Sequence, residues 1–257
     1  GRTYTIKELA SYSFLLEHFY IVDETTSMTK QELNGIKLVK TDLSAKLGKG
    51  EPLVLIYHTH GSETYKKVNG EEGSVIEVGT ALQKELETVY GIKTIHDTSV
   101  YDMVDGQLDR NAAYNFAGDS VEAALKKNPS VKVVIDLHRD SVESSIHLRT
   151  KINGKSTAQI MFFNGLSRTK DNGDIAYLPN PYIQDNLAFS LQMKLAAEQM
   201  YPGFTRRIFL RGYRYSLHMR PKSLLIEAGA QTNTVEEMRN AMELLAVTLQ
   251  KVIVENP

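Results

Sequence analysis

The sequence has 257 residues, a formal net charge of −1 and 42% hydrophobic residues, which is enough apolar material for one large core. It contains no cysteine, so a disulfide scaffold is excluded and any zinc site must be built from His, Asp and Glu side chains. The near-zero charge argues against nucleic acid as a partner, and no apolar run approaches the roughly 18–20 residues that span a bilayer.

The hydrophobic pattern predicts alternating strands and helices along most of the chain. Residues 6–20 carry apolar side chains at helical spacing, and residues 21–50 are predicted to be a polar connector with short helical pieces. The elements predicted beyond them are a strand over 53–57, a helix over 75–90, a strand over 92–95, a helix over 110–127, a strand over 131–137, two strands within 145–164 around the turn Asn153-Gly154, a polar loop over 166–180, a helix over 183–200, a strand over 224–228 and a helix over 235–253.

Unbroken apolar strands that alternate with amphipathic helices are typical of an α/β fold. We therefore predict a mostly parallel, twisted sheet with helices on both faces. The division predicted from the pattern is an N-terminal helical arm and connector over 1–48, followed by one main domain over 49–257. In sheets of this kind, ligands bind beyond the carboxyl ends of the strands.

Three predicted core strands end in side chains that can bind metal or transfer protons. The first runs into His58-Thr59-His60-Gly61-Ser62-Glu63, the second into Asp136-Leu137-His138-Arg139-Asp140, and the third holds Glu227. If the strands are parallel, their ends meet in one crevice. There His60, His138 and a carboxylate can hold Zn²⁺ and leave a position for water. Glu227 would accept the proton of that water and pass it to a leaving amine.

Each of these side chains also has a purely structural interpretation. A single histidine at a strand end is more often a hydrogen-bonded core residue than a ligand, although two such histidines weaken that explanation. Glu227 could be buried in an ion pair with an arginine, and Arg139 and Asp140 could pair with each other. The sequence contains no HExxH helix, glycine-rich phosphate loop or GxSxG elbow that would indicate another chemistry.

Three segments carry a resemblance to a known family. They are YHTHGSETY (57–65), DLHRDS (136–141) and LLIEAGAQTNTVEEM (224–238), and in this order they resemble the stage II sporulation protein P family of peptidoglycan amidases. That family is in turn similar to the wider zinc amidases of the N-acetylmuramoyl-L-alanine type. The resemblance implies zinc ligands at His60 and His138 and a catalytic glutamate at Glu227, within Ile226-Glu227-Ala228-Gly229.

The same resemblance implies a biological setting. It implies that residues 49–257 are a zinc amidase domain that cleaves the bond between the muramic acid lactyl group and L-alanine, with endopeptidase activity as an addition. It also implies work during engulfment on the extracytoplasmic face of the membrane. An anchor preceding the chain, a membrane partner and stage II sporulation protein D are expected to accompany it.

Several side chains are candidates for the third zinc ligand. Glu63 follows His60 in a His-x-x-Glu arrangement, the spacing that metallocarboxypeptidases use on a related architecture, and it is the favoured candidate. Glu72 or Glu71 lies near the head of the predicted helix 75–90, where the wider amidases place a ligand glutamate. His58 is two residues from His60, so on an extended strand both rings would share one side. Glu63 and His58 could instead orient the ligands from behind.

A basic rim is expected beside the zinc because peptidoglycan stem peptides carry carboxylates. Arg139 adjoins a proposed ligand, and Arg211, Arg214 and Arg220 precede the strand of Glu227. Arginine is suited to bidentate carboxylate binding. The alternative is that these arginines form a solvated basic loop.

Two other functions stay open at this point. One is a different zinc hydrolase, such as a carboxypeptidase. The other is a cell-wall-binding module without catalysis, which need not retain metal.

Overall fold

A computed structural model describes residues 1–254 as alternating helices and strands. In chain order the elements are α1 (Ile6–Ala10), α2 (Tyr12–His18), β1 (Tyr20–Val22), α3 (Gly35–Lys40), β2 (Val54–Tyr57), α4 (Val75–Tyr90), β3 (Thr94–His96), β4 (Met103–Val104), β5 (Gln107–Leu108), α5 (Arg110–Lys127), β6 (Val133–Asp140), β7 (Arg149–Ile152), β8 (Lys155–Ala158), β9 (Ile160–Gly165), β10 (Arg168–Thr169), β11 (Gly173–Asp174), α6 (Ile183–Met200), β12 (Ile208–Arg211), β13 (Ser223–Ala230) and α7 (Val235–Ile253).

The main sheet has seven strands in the order β1-β12-β9-β13-β6-β2-β3. β13, β6, β2 and β3 are parallel to one another, and so are β9, β12 and β1. The two groups meet at an antiparallel pairing between β9 and β13. The predicted α/β fold with a mostly parallel sheet is therefore confirmed, with one reversal in its middle.

The two faces of the sheet are covered unequally. The large core contains apolar residues of α4, α6 and α7, including Leu82, Leu191 and Leu245, packed on one face. The opposite face carries α5, which packs Ala117 and Val121 against β2 and β6. Beyond α5 this face is covered by the segment that follows β12. Helices on both faces were predicted, but three long helices lie on one face and a single long helix lies on the other.

The N-terminal segment differs from the predicted helix over 6–20. Ser11 ends α1 and caps α2 by accepting a hydrogen bond from the Phe14 amide, so the helix is broken there. The chain then forms β1, which pairs with β12 at the edge of the sheet. Phe19 and Leu38 are buried in the same core as the long helices. The first 48 residues, predicted to be an N-terminal helical arm and connector, therefore contribute to the same core as the long helices.

Several local predictions agree with the structure. Asn153 and Gly154 both have positive φ, 51° and 81°, as the two-residue turn between β7 and β8 requires. The helix predicted over 235–253 is α7, and Thr234 and Glu237 form the reciprocal capping box at its start. None of the helices within residues 1–254 is both long enough and apolar enough to cross a membrane.

Candidate active site

The candidate site lies where three neighbouring parallel strands end. β13, β6 and β2 are adjacent, with Glu227 opposite His138 and Asp136 opposite Tyr57. After Tyr57 the chain leaves the strand and turns through residues 59–62. The rings of His60 and His138 then lie 5.1 Å apart and nearly perpendicular, at 88°. The three strand ends thus meet at one edge of the sheet.

Two fully buried carboxylates hold the turn that carries His60. Asp136 accepts hydrogen bonds from the Thr59 amide (2.9 Å) and the Thr59 hydroxyl (2.7 Å). Asp102 accepts from the Ser62 amide (3.1 Å) and the Ser62 hydroxyl (2.6 Å). Because hydrogen bonds to charged acceptors are stronger than neutral ones, these four contacts restrict the turn.

His138 lies between two carboxylates. Its Nε2 is 2.8 Å from Asp136 Oδ1, and its Nδ1 is 3.9 Å from Glu63 Oε2. Burial alone would lower the pKa of His138, but the Asp136 carboxylate outweighs it and raises that pKa to about 9. The carboxylates around His138 therefore favour positive charge at this point, which the proton retained by the ring supplies.

His60 has a different environment. Its Nδ1 is buried without a hydrogen-bond partner within residues 1–254, and Asp102 Oδ2 is 3.9 Å away. Burial, together with the smaller effect of the nearby His138, lowers the pKa of His60 to about 4. A neutral imidazole with a free nitrogen is the form that binds metal ions.

Glu63 is buried beside His138. Its Oε2 accepts a hydrogen bond from the Arg139 amide at 3.1 Å, and its Oε1 lies 3.6 Å from Arg110 Nη1. Burial raises the pKa of this carboxyl. Of the candidates for third ligand, Glu63 is the one that the fold brings to His60 and His138.

The other candidates for third ligand lie elsewhere. Glu71 and Glu72 are exposed, and Glu72 is 3.9 Å from Lys67. His58 is fully buried, where its Nδ1 contacts the Leu137 carbonyl and its Nε2 contacts His96 Nε2, both at 2.8 Å. The expectation that His58 and His60 share one side is wrong, because the chain stops being extended at Tyr57.

Glu227 ends the straight part of β13 beside His138. Its Oε2 is buried and has no hydrogen-bond partner within the described residues, and no arginine pairs with it there. Burial raises the pKa of Glu227 to about 7. Directly after it the register with β6 shifts, and Gly229 takes a left-handed φ of 60°. This bulge turns the chain away from the carboxyl group.

The four predicted substrate arginines do not form one rim. Arg139 donates from Nη1 to the Asp140 carbonyl and the Ser141 hydroxyl beside the site. Arg211 and Arg214 line a separate cavity of about 790 Å³. Arg220 contacts the Leu125 carbonyl at the end of α5 and is not part of that lining. The four arginines therefore do not lie together. β12 is antiparallel to β13, so Arg211, at the end of β12, lies at the opposite end of the strands from Glu227.

Sequence reasoning missed several residues at the site. Arg110 and Tyr114 come from the first turns of α5, and the Tyr114 ring lies 5.5 Å from the His60 ring. Arg206 precedes β12 and forms a 2.6 Å ion pair with Asp140, so Asp140 does not depend on Arg139 for a partner. Asp136, which also contacts His138, could have been predicted from the sequence, because residues two apart on a strand share one face. Arg110, Tyr114 and Arg206 could not.

The side chains at this edge fit a zinc ion, although within residues 1–254 no three of them are already grouped around one point as ligands. Neutral histidine and carboxylate are the donors that zinc takes when cysteine is absent. The partnerless His60 Nδ1 and the carboxylates facing His138 supply a donor set with local negative charge.

Fold and site together define an α/β protein with a His–Glu cluster at the carboxyl edge of its parallel strands. The family described as Stage II sporulation protein P matches residues 6–250, so the chain belongs to the stage II sporulation protein P family.

Individual proteins are also similar to this chain. The stage II sporulation protein P of Bacillus subtilis (strain 168) is 26% identical over 210 residues, which cover 76% of this chain and 49% of that protein. The chain thus spans about half the length of this relative. Among solved structures, the N-acetylmuramoyl-L-alanine amidase AmiC2 of Nostoc punctiforme has a TM-score of 0.49 at 14% identity, covering 79% of this chain and 98% of that one. An N-acetylmuramoyl-L-alanine amidase of Clostridium difficile 630 has a TM-score of 0.44 at 17% identity, covering 78% and 94%.

Proposed function

We propose that this chain is a zinc-dependent N-acetylmuramoyl-L-alanine amidase that hydrolyses peptidoglycan during sporulation. The observation that carries the proposal is the partnerless Glu227 carboxyl beside His138, in a cluster that also contains His60 and Glu63. Membership of the stage II sporulation protein P family supports the biological setting.

His60, Glu63 and His138 would hold the zinc ion. When bound, zinc polarises a carbonyl and brings the pKa of a bound water to about 7. Asp136 would orient His138 from behind through its 2.8 Å contact, and Asp102 and Asp136 would keep His60 in place through the turn.

Glu227 would serve as acid and base. Its raised pKa, about 7, allows Oε2 to take a proton from water at neutral pH and to give it to the departing L-alanine amine. Oε2 is available for that transfer, because it has no hydrogen-bond partner within the described residues.

The cellular roles belong to the same proposal. The enzyme would act in engulfment on the extracytoplasmic face of the membrane, with stage II sporulation protein D and a membrane partner, and it would have endopeptidase activity in addition. The enzyme would also be anchored at that membrane.

Digestion of purified peptidoglycan, followed by mass analysis of the products, tests the chemistry. We expect glycan strands with free lactyl carboxyls and released peptides that begin with L-alanine. Peptides shortened at their carboxyl ends would instead indicate a carboxypeptidase. Absence of any cut, with binding retained, would indicate a wall-binding module and overturn the proposal. Elemental analysis of the same preparation gives the zinc content.

A further inference from the structure

Glu227 is held in place through its backbone rather than through its buried Oε2 atom. That oxygen has no hydrogen-bond partner within residues 1–254. The backbone beyond Glu227 is irregular, because the register with β6 shifts there and Gly229 has a left-handed φ of 60°. A reacting group misplaced by about 1 Å can lower a rate by about 10²-fold. The contacts that fix this bulge therefore decide whether the carboxyl group is in position.

The peptide group that joins Ala228 to Gly229 is held at both ends. Its N–H, on Gly229, donates a hydrogen bond to the Gln159 carbonyl just before β9, at 3.0 Å. Its carbonyl, on Ala228, accepts a hydrogen bond from the Tyr65 hydroxyl, also at 3.0 Å. Ala228 is 0% exposed and Tyr65 is 2% exposed, so bulk water does not compete for this contact. A buried carbonyl that loses its donor is costly, and the hydroxyl therefore fixes the orientation of the peptide group.

Tyr65 is itself fixed to the segment that carries Glu63. The Glu63 carbonyl accepts a hydrogen bond from the Val75 amide at 3.0 Å, and the Tyr65 amide donates to the Gly73 carbonyl at 2.9 Å. These two bonds attach residues 63–65 to the start of α4. The Tyr65 hydroxyl then joins this unit to β13, although the two bonded residues are 163 positions apart in the chain. One side chain thus connects the segment of Glu63 to the strand of Glu227.

The residue after Tyr65 holds the far side of the bulge. The Lys66 amide donates to the Asn233 carbonyl at 2.9 Å. Asn233 in turn accepts a hydrogen bond from the Ala230 amide on its Oδ1, at 2.9 Å. The segment 65–66 therefore contacts the chain on both sides of Gly229. Of these contacts, the Tyr65 hydroxyl is the one that a substitution can remove without changing the backbone.

We propose that Tyr65 is a positioning residue for Glu227. Its hydroxyl holds the Ala228 carbonyl and thereby keeps the Glu227 carboxyl in place beside His138, its neighbour across the strands. The inference rests on the proposed amidase function. Tyr65 acts through the backbone and takes no part in the proton transfer, so its hydroxyl affects turnover rather than substrate affinity or zinc binding. The ring contributes separately, as part of the large core.

Tyr65→Phe tests the proposal, because it removes the hydroxyl and keeps the ring in the core. Tyr12→Phe is the matched control, since the Tyr12 hydroxyl also donates to a backbone carbonyl, that of Met28, at 2.7 Å in the N-terminal segment. Turnover is measured on muramoyl peptides that a muramidase releases from peptidoglycan. We expect kcat to fall at least tenfold in Tyr65→Phe, with KM and zinc content within twofold of native. Tyr12→Phe should stay within twofold in all three quantities.

Two further measurements separate positioning from stability. The urea midpoint should fall by a similar amount in both phenylalanine variants, because each loses one hydrogen bond to a carbonyl. Tyr65→4-aminophenylalanine places an N–H donor at the same position of the ring. It should recover kcat to within threefold of native.

The proposal is overturned by a loss of kcat smaller than tenfold in Tyr65→Phe, or by a loss that the amino variant does not recover. A loss of zinc in Tyr65→Phe, or a chain that does not fold, would assign the hydroxyl to the metal site or to the core instead. The amidase proposal fails separately, when the native protein releases no peptides that begin with L-alanine. Normal release by both the native protein and Tyr65→Phe contradicts only the role of Tyr65.

Discussion

At the residue scale, Asp136 links the two histidines of the site. Its carboxylate accepts two hydrogen bonds from Thr59, next to His60, and also lies 2.8 Å from His138 Nε2. The coupling with His138 lowers the pKa of Asp136 in spite of burial, so the group stays ionised. One buried charge thereby orients one proposed ligand directly and the other through the turn.

Glu227→Gln should abolish turnover and leave zinc bound. The amide keeps the shape of the side chain but cannot accept a proton, and general acid–base catalysis is worth about 10²–10⁴-fold. Peptidoglycan digestion gives the rate and elemental analysis gives the zinc content. Glu236→Gln is the matched control, because Glu236 is exposed on α7. A Glu227→Gln rate above a tenth of the native rate would contradict the assigned role.

His60→Ala and His138→Ala should each lose zinc together with activity. Two remaining donors hold the ion poorly, since structural and catalytic zinc sites use at least three protein ligands. Zinc is measured after dialysis, with His18→Ala as the control at an exposed ring. Stoichiometric zinc in either variant would remove that histidine from the site.

Glu63→Ala and Glu72→Ala separate the candidates for third ligand. Glu63 is buried 3.9 Å from His138 Nδ1, whereas Glu72 is exposed beside Lys67. We expect zinc affinity to fall only in the Glu63 variant, by zinc titration with a chelating indicator. Tight binding in Glu63→Ala with loss in Glu72→Ala would reverse the assignment.

At the element scale, the reversal at β9 and the bulge in β13 decide which side chains reach the site. β12 is antiparallel to β13. The residue Arg206, just before β12, therefore lies beside Asp140 at the site, whereas Arg211, at the end of β12, lies at the opposite end of the strands. The bulge after Glu227 depends on Gly229, whose φ is 60°. Neither feature follows from hydrophobic periodicity.

Gly229→Ala should destabilise the fold by at least about 2 kcal/mol. The left-handed conformation costs an L-residue roughly 1–2 kcal/mol, and here the added Cβ would also lie 2.7 Å from Met238 sulfur and 2.8 Å from Asn233 Oδ1. Urea unfolding measures the change. Gly154→Ala is the control, because its φ is 81° and no atom lies within 4 Å of the added Cβ. Equal losses in the two variants would contradict the crowding at Gly229.

At the scale of the whole molecule, folding buries ionisable groups away from the surface. His58 contacts His96 nitrogen to nitrogen at 2.8 Å, so the two rings cannot both carry protons on the facing atoms. Burial lowers the pKa of His58 from 6.5 to about 4, and lowers the pKa of His96 as well. In mildly acidic solution these two histidines are therefore protonated more readily in the unfolded chain than in the folded protein.

Acid should destabilise the protein through this pair. Below pH 6.5 the unfolded His58 binds a proton and the folded one does not, so the free energy of unfolding falls as the pH drops toward 4. The shift of His58 corresponds to about 3 kcal/mol at most. Urea unfolding at pH 7 and pH 5 should show a smaller fall in His58→Gln than in the native chain, with His18→Gln behaving as native. An equal fall in His58→Gln would contradict this origin.

The sequence by itself determined the α/β class, the long helices and the three strand ends, because burial on both sides of a parallel sheet leaves unbroken apolar runs that end where side chains can be polar. The same pattern predicted His60, His138 and Glu227 as candidates for the site. It also favoured Glu63 over Glu72, though only through spacing.

Only the tertiary structure decided what depends on strand direction and on contacts between distant segments. Strand periodicity contains no signal for direction, so the reversal at β9 and the separation of the arginines could not be predicted. Asp102, Arg110 and Tyr114 lie on elements that show no site signal along the chain, and reach it by packing beside the turn of His60. His58, a candidate ligand by its spacing, is instead a buried contact of His96, because the strand ends at Tyr57, three residues before His60.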